Sequence, residues 1–130
     1  MKFINPESLA PPKGYNHGTL ALSDGHVLFI AGQIGWNRDE KLADGLVAQF
    51  DLALANVLEI VRAAGGNAED IGRFTIFVKD KSQYLQLRKE IGTAYRQRMG
   101  HHYPSMSLVV VKDLLEDGAL VEIETTAVIR

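Results

Sequence analysis

The sequence predicts an α+β domain: one β-sheet with two helices on one of its faces, in the order ββαβαββ. Three observations carry this. Gly118–Arg130 alternates with period two, as a half-buried strand does, with Ala119, Val121, Ile123, Thr125, Ala127 and Ile129 on one side and Leu120, Glu122, Glu124, Thr126, Val128 and Arg130 on the other. Leu46–Ala64 repeats its apolar residues at three- and four-residue spacing, the period of a helix. Between that helix and a second amphipathic stretch lies a short β-branched and aromatic run, Phe74-Thr-Ile-Phe-Val78, so strands and helices alternate through the middle of the chain.

The elements follow in order. Residues 1–18 hold three of the four prolines and read as an irregular lead-in, closed by Gly14-Tyr-Asn-His-Gly18. Two glycines bracketing Tyr15, Asn16 and His17 let the backbone bend and present side chains, although a plain turn has the same composition. Thr19–Leu22 and His26–Gln33 flank Ser23-Asp-Gly25, which predicts a hairpin. Val27–Ala31 is apolar on both faces, the mark of a strand covered on both sides. Gly32-Gln-Ile-Gly35 ends it, and glycine at a strand end permits close approach of a ligand or another backbone. Trp36–Lys41 is a polar loop.

In the first helix Val47, Phe50, Leu54, Val57, Leu58 and Val61 form the stripe, with Asp44 as its N-cap and Gly65-Gly66 as its stop. Ile71–Lys79 is the third strand. Asp80 or Ser82 caps the second helix, whose inner face is Tyr84, Leu87, Ile91, Ala94 and Tyr95 and which ends at Met99-Gly100. His101–Pro104 leads into the last two strands, Ser105–Val111 and Gly118–Arg130. Right-handed crossovers place both helices on one face of the sheet. Val27–Ala31 and Leu108–Val111 are nonetheless apolar on both faces, and nothing in the chain remains to cover the second one. The expectation is a homo-oligomer whose sheets pack together.

Composition bounds the function. With 130 residues the chain forms one domain, 1–130, and 46% hydrophobic with 23% charged residues is ordinary for a globular protein. A net charge of −2 argues against a nucleic-acid or anionic-membrane binder. No apolar run reaches the roughly 18 residues that span a bilayer, and the N-terminus lacks the apolar core of a signal peptide, so a cytoplasmic location is expected. Without cysteine there is no thiol nucleophile, disulfide or thiolate metal site. The four histidines lack metal-ligand spacing, and no phosphate-binding glycine loop or nucleophile elbow is present, so neither metal nor cofactor is expected.

What remains is a strand carboxylate, Glu122, with Tyr15 and the Gly32-Gln33 strand end as candidate neighbours. A carboxylate held among apolar groups is pushed toward its protonated form, which suits general acid–base work. The plainer alternative is that Glu122 and Glu124 pair with surface lysine or arginine.

Gly14-Tyr15, Ala31-Gly32-Gln33-Ile34, Tyr103-Pro104-Ser105-Met106-Ser107 and Gly118-Ala-Leu-Val-Glu-Ile-Glu124 together resemble the RidA/YjgF family of reactive-intermediate (enamine and imine) deaminases, over nearly the whole chain. The resemblance implies a chorismate-mutase-like fold and a homotrimer with a barrel-like centre, with ligand clefts between subunits. It places the water-activating glutamate on Glu122, the cleft tyrosine on Tyr15 and the strand-end glycine on Gly32. The family's deaminases hold the substrate carboxylate with an arginine in a Pro-x-Arg-Ser segment, where this chain has Met106; a helix position that is often asparagine falls on Arg88. Methionine cannot replace a bidentate arginine–carboxylate pair, a contact worth roughly 2–5 kcal/mol when buried, which argues against ordinary 2-iminoacid deaminase activity. Gln33, Arg88, Tyr103, Met106, Ser107 and His17 complete the candidate substrate-binding set, with Arg88 or His17 available to hold a carboxylate. Met106, Trp36 and Tyr103 make either a more apolar cleft or ordinary core. Three functions are consistent with these residues: a hydrolase of an imine, enamine or related metabolite, a binding protein for small metabolites without turnover, and a protein-interaction trimer.

Overall fold

A computed structural model of the chain describes every residue except Ser23. The main sheet has four strands in the order β3-β6-β4-β5, where β3 is His26–Ile34, β4 Ile71–Val78, β5 Ser105–Val110 and β6 Val121–Ile129. β6 runs antiparallel to both neighbours, and β4 and β5 are parallel. The α1 helix (Leu46–Ala63) connects β3 to β4. Two shorter helices, α2 (Lys81–Gln86) and α3 (Arg88–Met99), connect β4 to β5, and α1 packs on α3 as well as on the sheet.

Side-chain period places the core between these layers. Val121, Ile123, Thr125, Ala127 and Ile129 of β6 are buried together with Phe74, Ile76 and Val78 of β4. Phe50, Leu54, Val57, Leu58 and Val61 of α1 meet them, as do Ile91, Ala94, Tyr95 and Met99 of α3. Val47, at the margin of the α1 stripe, is only half-buried. Buried Gln49 ties α1 to the entry of β6. Its amide donates to the Ala43 and Gly118 carbonyls, both at 3.1 Å, and its oxygen accepts from Leu120 N–H at 2.8 Å. Each of its polar atoms is thus satisfied, as burial requires.

Four details differ from the sequence expectation. Thr19–Leu22 does not form a hairpin with β3. Instead β2 (Gly18–Leu20) pairs with β1 (Lys2–Ile4), a strand inside the lead-in expected to be irregular, and makes a separate two-stranded ribbon. The cause is local: the Thr19 hydroxyl donates to the Gly72 carbonyl and lies 2.9 Å from the Ser105 hydroxyl, which draws the ribbon to the β4–β5 end of the sheet. The expected turn at Ser23-Asp24-Gly25 falls partly on Ser23, outside the described residues. Asp44 does not cap α1. Gly45 occupies the capping position with φ 88° and no side-chain bond is made there. The second helix is broken at Leu87, although i→i−4 bonds run on both sides of it, from Leu87 N–H to Gln83 and from Ile91 N–H to Leu87.

The other boundaries follow the sequence. Asp80 caps α2 by accepting from Gln83 N–H at 3.0 Å, and Gly65, at φ 88°, ends α1. Val27 and Phe29, the outward residues of β3, are 55% and 79% exposed, and Val109 on β5 is 41% exposed. The sheet's second face is therefore apolar toward both edges, with Arg73, Thr75, Glu124 and Thr126 along its centre.

Candidate functional site

The candidate residues fall into two groups at opposite edges of the sheet. At the β3 edge the strand register shifts between Ile30 and Gln33, a bulge that brings Gly32 against Glu122. A Cβ on Gly32 would lie 2.6 Å from Glu122 Oε2 and 2.7 Å from its Cδ, so only glycine fits beside this carboxylate. The strand end is held from behind by Asn56, whose amide donates to the carbonyls of Ile34 and Trp36 at 3.2 and 2.9 Å. Glu122 itself is half-buried, and among the described residues neither it nor Glu124 makes the ion pair that the surface-pair alternative requires. The Gln33 side chain folds back, its amide donating to the Ala31 carbonyl at 3.1 Å.

At the β5 edge the Gly14–Gly18 segment lies against the start of β5. Asn16 is the pin: its side chain donates to the Tyr103 carbonyl and its N–H to the Pro104 carbonyl at 3.3 Å. Asn5 holds Asn16 in turn, donating to its side-chain oxygen at 2.7 Å and accepting His17 N–H at 2.8 Å. Tyr15 is thereby set over Met106, with its ring edge-on to His17 at 5.3 Å. Asn5 was missed by sequence reasoning, and Asn16 was named only as one of the side chains between the two glycines. The bracketing glycines marked the segment, but nothing in its composition showed that an asparagine would fasten it.

Two adjoining hollows share Tyr15 and Met106. One is a cavity of 440 Å³ between α3 and the β4–β5 edge, with Met106, Leu108, Ile76, Ile91 and Tyr95 among its lining and Lys13, Tyr15, Tyr84, Arg88 and Arg96 around them. The other, of 350 Å³, adds Asn16, His17, Arg73, Ser105 and Ser107. Tyr103 stacks on Tyr95, centroids 5.1 Å apart and rings 15° from parallel. The Tyr95 hydroxyl donates to the His102 carbonyl at 2.7 Å, and burial pushes its pKa well above the usual tyrosine value. Burial also raises the pKa of Tyr84, against the lowering effect of the Arg88 charge. Met106 and Tyr103, for which the sequence left cleft or core open, pack partly on the core and also line the cavity. Trp36 lies outside both hollows.

Tyr15, Arg88, Tyr103 and Met106 are thus brought together, with His17 and Ser107 in the next hollow. Gly32, Gln33 and Glu122 are not among them. Met106 pairs with Phe74, and Phe74 with buried Thr125, so Met106 points to the helix side of the sheet. Glu122, three residues before Thr125 on β6, points to the open side.

The family model described as Endoribonuclease L-PSP matches residues 6–129 of this chain. The chain belongs to that family, the RidA/YjgF proteins. It is 36% identical over 110 residues to a RutC family protein of Haemophilus influenzae, covering 83% of each chain. It is 33% identical over 110 residues to the 2-iminobutanoate/2-iminopropanoate deaminase of Escherichia coli K12, covering 82% of each. Among solved structures, a conserved Rid family protein of unknown function from Yersinia pestis superposes with a TM-score of 0.86 at 34% identity, over 98% of both chains. The α+β fold read from the sequence is the fold these proteins share. Among the described residues no helix is long and apolar enough to cross a membrane, and no three His, Asp or Glu gather as a metal site.

Proposed function

We propose that this protein hydrolyses an imine, enamine or related reactive metabolite in clefts between subunits, with Glu122 activating the water. The observation that carries this reading is the packing of Gly32 on Glu122: a strand bulge and a side chain of zero size keep a carboxylate without an ion-pair partner beside open backbone. In the reaction Glu122 accepts a proton as water attacks the C=N carbon. The π electrons pass to nitrogen, which is protonated. In the resulting carbinolamine the amine takes the proton that Glu122 gained from the water, the hydroxyl proton passes back to the Glu122 carboxylate as the C–N bond breaks, and ammonia leaves with formation of the carbonyl.

Tyr15 and the residues around Met106 would serve as the binding wall. They stand at the β5 edge, Glu122 near the β3 edge, and the apolar outward residues lie toward both edges. Unlike edges that meet head to tail generate a ring when the rotation between copies closes, and such a ring would bring the β3 edge of one copy to the β5 edge of the next. The test is hydrolysis of imines generated in situ, by wild-type protein and by Glu122→Gln. The amide cannot take the proton, so the rate is expected to fall by roughly 10²–10⁴-fold with the oligomer intact. An unchanged rate excludes Glu122 as the base.

Met106 favours a second reading, a metabolite-binding trimer without turnover, because the deaminases this chain resembles have arginine there. For that reason 2-aminoacrylate-type imino acids are expected to be poor substrates, and imines or enamines that lack that carboxylate, or carry an anionic group where Arg88 can hold it, better ones.

A further inference from the structure

The cavity beside α3 has an unusual charge pattern. Three cations line it, Lys13 from the lead-in and Arg88 and Arg96 from α3, and no carboxylate does. Among the described residues none of the three forms an ion pair; the pairs are Arg62–Glu59, Lys79–Asp113 and Arg98–Asp51. Arg88 and Arg96 both come from α3, a little over two turns apart, and both line this one cavity. Arg96 folds back along α3, with Nη1 only 3.2 Å from where a Cβ on Gly92 would stand. Gly92 costs the helix about 1 kcal/mol relative to alanine. It keeps the cavity wall thin where the guanidinium lies.

The rest of the lining is of the opposite kind. Ile76, Ile91, Leu108 and Met106 are aliphatic, and Tyr95 stacked on Tyr103 presents a flat aromatic surface. An apolar hollow edged by unpaired cations attracts a ligand with an apolar body and an anionic end, since the body gains by leaving water and the anion gains charge-assisted hydrogen bonds. A volume of 440 Å³ lies within the range of small-molecule sites.

From this we infer that the cavity binds an aromatic or branched apolar anion, carboxylate or phosphate, with its head held by Arg88 and Arg96 from the helix and its body lying over Met106 and Tyr103. The inference rests on the reading above only in identifying this wall as part of the ligand cleft. It names the class of ligand: an anion anchored from α3, with an apolar surface on the β5 side where a short imino acid would find no partner.

The test is calorimetric titration of the full chain with 3-phenylpropanoate, phenyl phosphate and the neutral 3-phenylpropanamide. Both anions are expected to bind saturably, and the amide at least about ten-fold more weakly. A preference between the two anions then assigns the head group. The Arg88→Gln/Arg96→Gln double variant is expected to weaken anion binding on the order of ten-fold or more and to leave the amide unaffected. Both arginines are exposed, so the fold is retained, as circular dichroism and light scattering would verify. Each single variant should show part of the loss. The proposal is overturned if the amide binds as tightly as the acid, if the double variant binds the anions unchanged, or if no anion saturates at millimolar concentration. Imine hydrolysis measured on the same samples separates the two readings. Arginine-dependent binding without hydrolysis removes the hydrolase and keeps the anion site. Hydrolysis that depends on Glu122, with anion binding indifferent to the arginines, does the reverse.

Discussion

Met106 sits where two demands meet. Its side chain packs partly on the core through its pairing with Phe74, and it also lines both hollows beside Tyr15. Substituting arginine would restore the Pro-x-Arg-Ser pattern of the deaminases that the chain resembles. It would also put a fourth cation beside Lys13, Arg88 and Arg96. Met106→Arg is therefore expected to lower stability by on the order of 1–3 kcal/mol in the absence of ligand, because a charge replaces an apolar group and faces like charges. Added small carboxylates should recover part of that loss, as any ligand specific to the folded state does. If Glu122 is set for water attack, hydrolysis of small imino acids should rise above background. Thermal melts with and without pyruvate, run beside the hydrolysis assay, check both halves. A folded variant without any gain in hydrolysis moves preference to the binding-protein reading.

The elements that frame the cavity depend on how α1 and α3 are held together. Arg98 of α3 grips Asp51 of α1 with two bonds, Nε to Oδ1 at 2.6 Å and Nη2 to Oδ2 at 3.0 Å. The hydrogen bond from Arg98 holds the Asp51 carboxyl below the ordinary aspartate value of 3.8. A depressed pKa contributes stability that is fully present above the unfolded value and is lost as pH falls through the folded one. Asp51→Asn should accordingly melt lower than wild type at neutral pH, and the gap should close below about pH 4. Both side chains are about one-third exposed, so solvent screening keeps the effect to about 1 kcal/mol or less. A gap that stayed constant into acid would mean that packing, not charge, holds the two helices. This pair also shows where sequence reading stopped. The α1 stripe, the β6 alternation and the Asp80 cap were legible because each is a periodic or local pattern within one element. The Asp51–Arg98 pair, the Asn5–Asn16 pin and the β1–β2 ribbon join residues far apart in the chain, and each is made by one or two polar side chains with no period to reveal them. The pairing of Gly18–Leu20 with β1, where the sequence suggested β3, has the same origin: Thr19 found its partners in Gly72 and Ser105, far along the chain.

At the scale of the whole molecule, the open face of the sheet decides assembly. Val27 and Phe29 on β3 lie next to Val128 and Thr126 on β6, while Phe77 and Val109 lie toward the β5 side. Between them run Arg73, Thr75, Glu124 and Thr126, a polar centre that a flat two-fold sheet stack would bury without gain. Three sheets arranged around an axis can instead bury the apolar edges against one another and leave the polar centre facing a wet interior. The expected state is therefore a closed trimer of 14.3 kDa chains, with mass constant on dilution through the micromolar range. Phe29, 79% exposed in the single chain, is the residue to test, because burying its ring in an interface contributes about 1.5–3 kcal/mol per copy. Phe29→Glu places a charge in each of three equivalent contacts. It should give a folded monomer, since the side chain points away from the core, and multi-angle light scattering reads the mass directly. If the clefts lie between subunits, this variant should lose imine hydrolysis while Glu122, Gly32 and the α3 cavity remain intact within each chain. A trimer that survived Phe29→Glu would move the interface off this face. A monomer that still hydrolysed imines would place the whole site within one chain, and Glu122 would then have to act without Tyr15 and Met106.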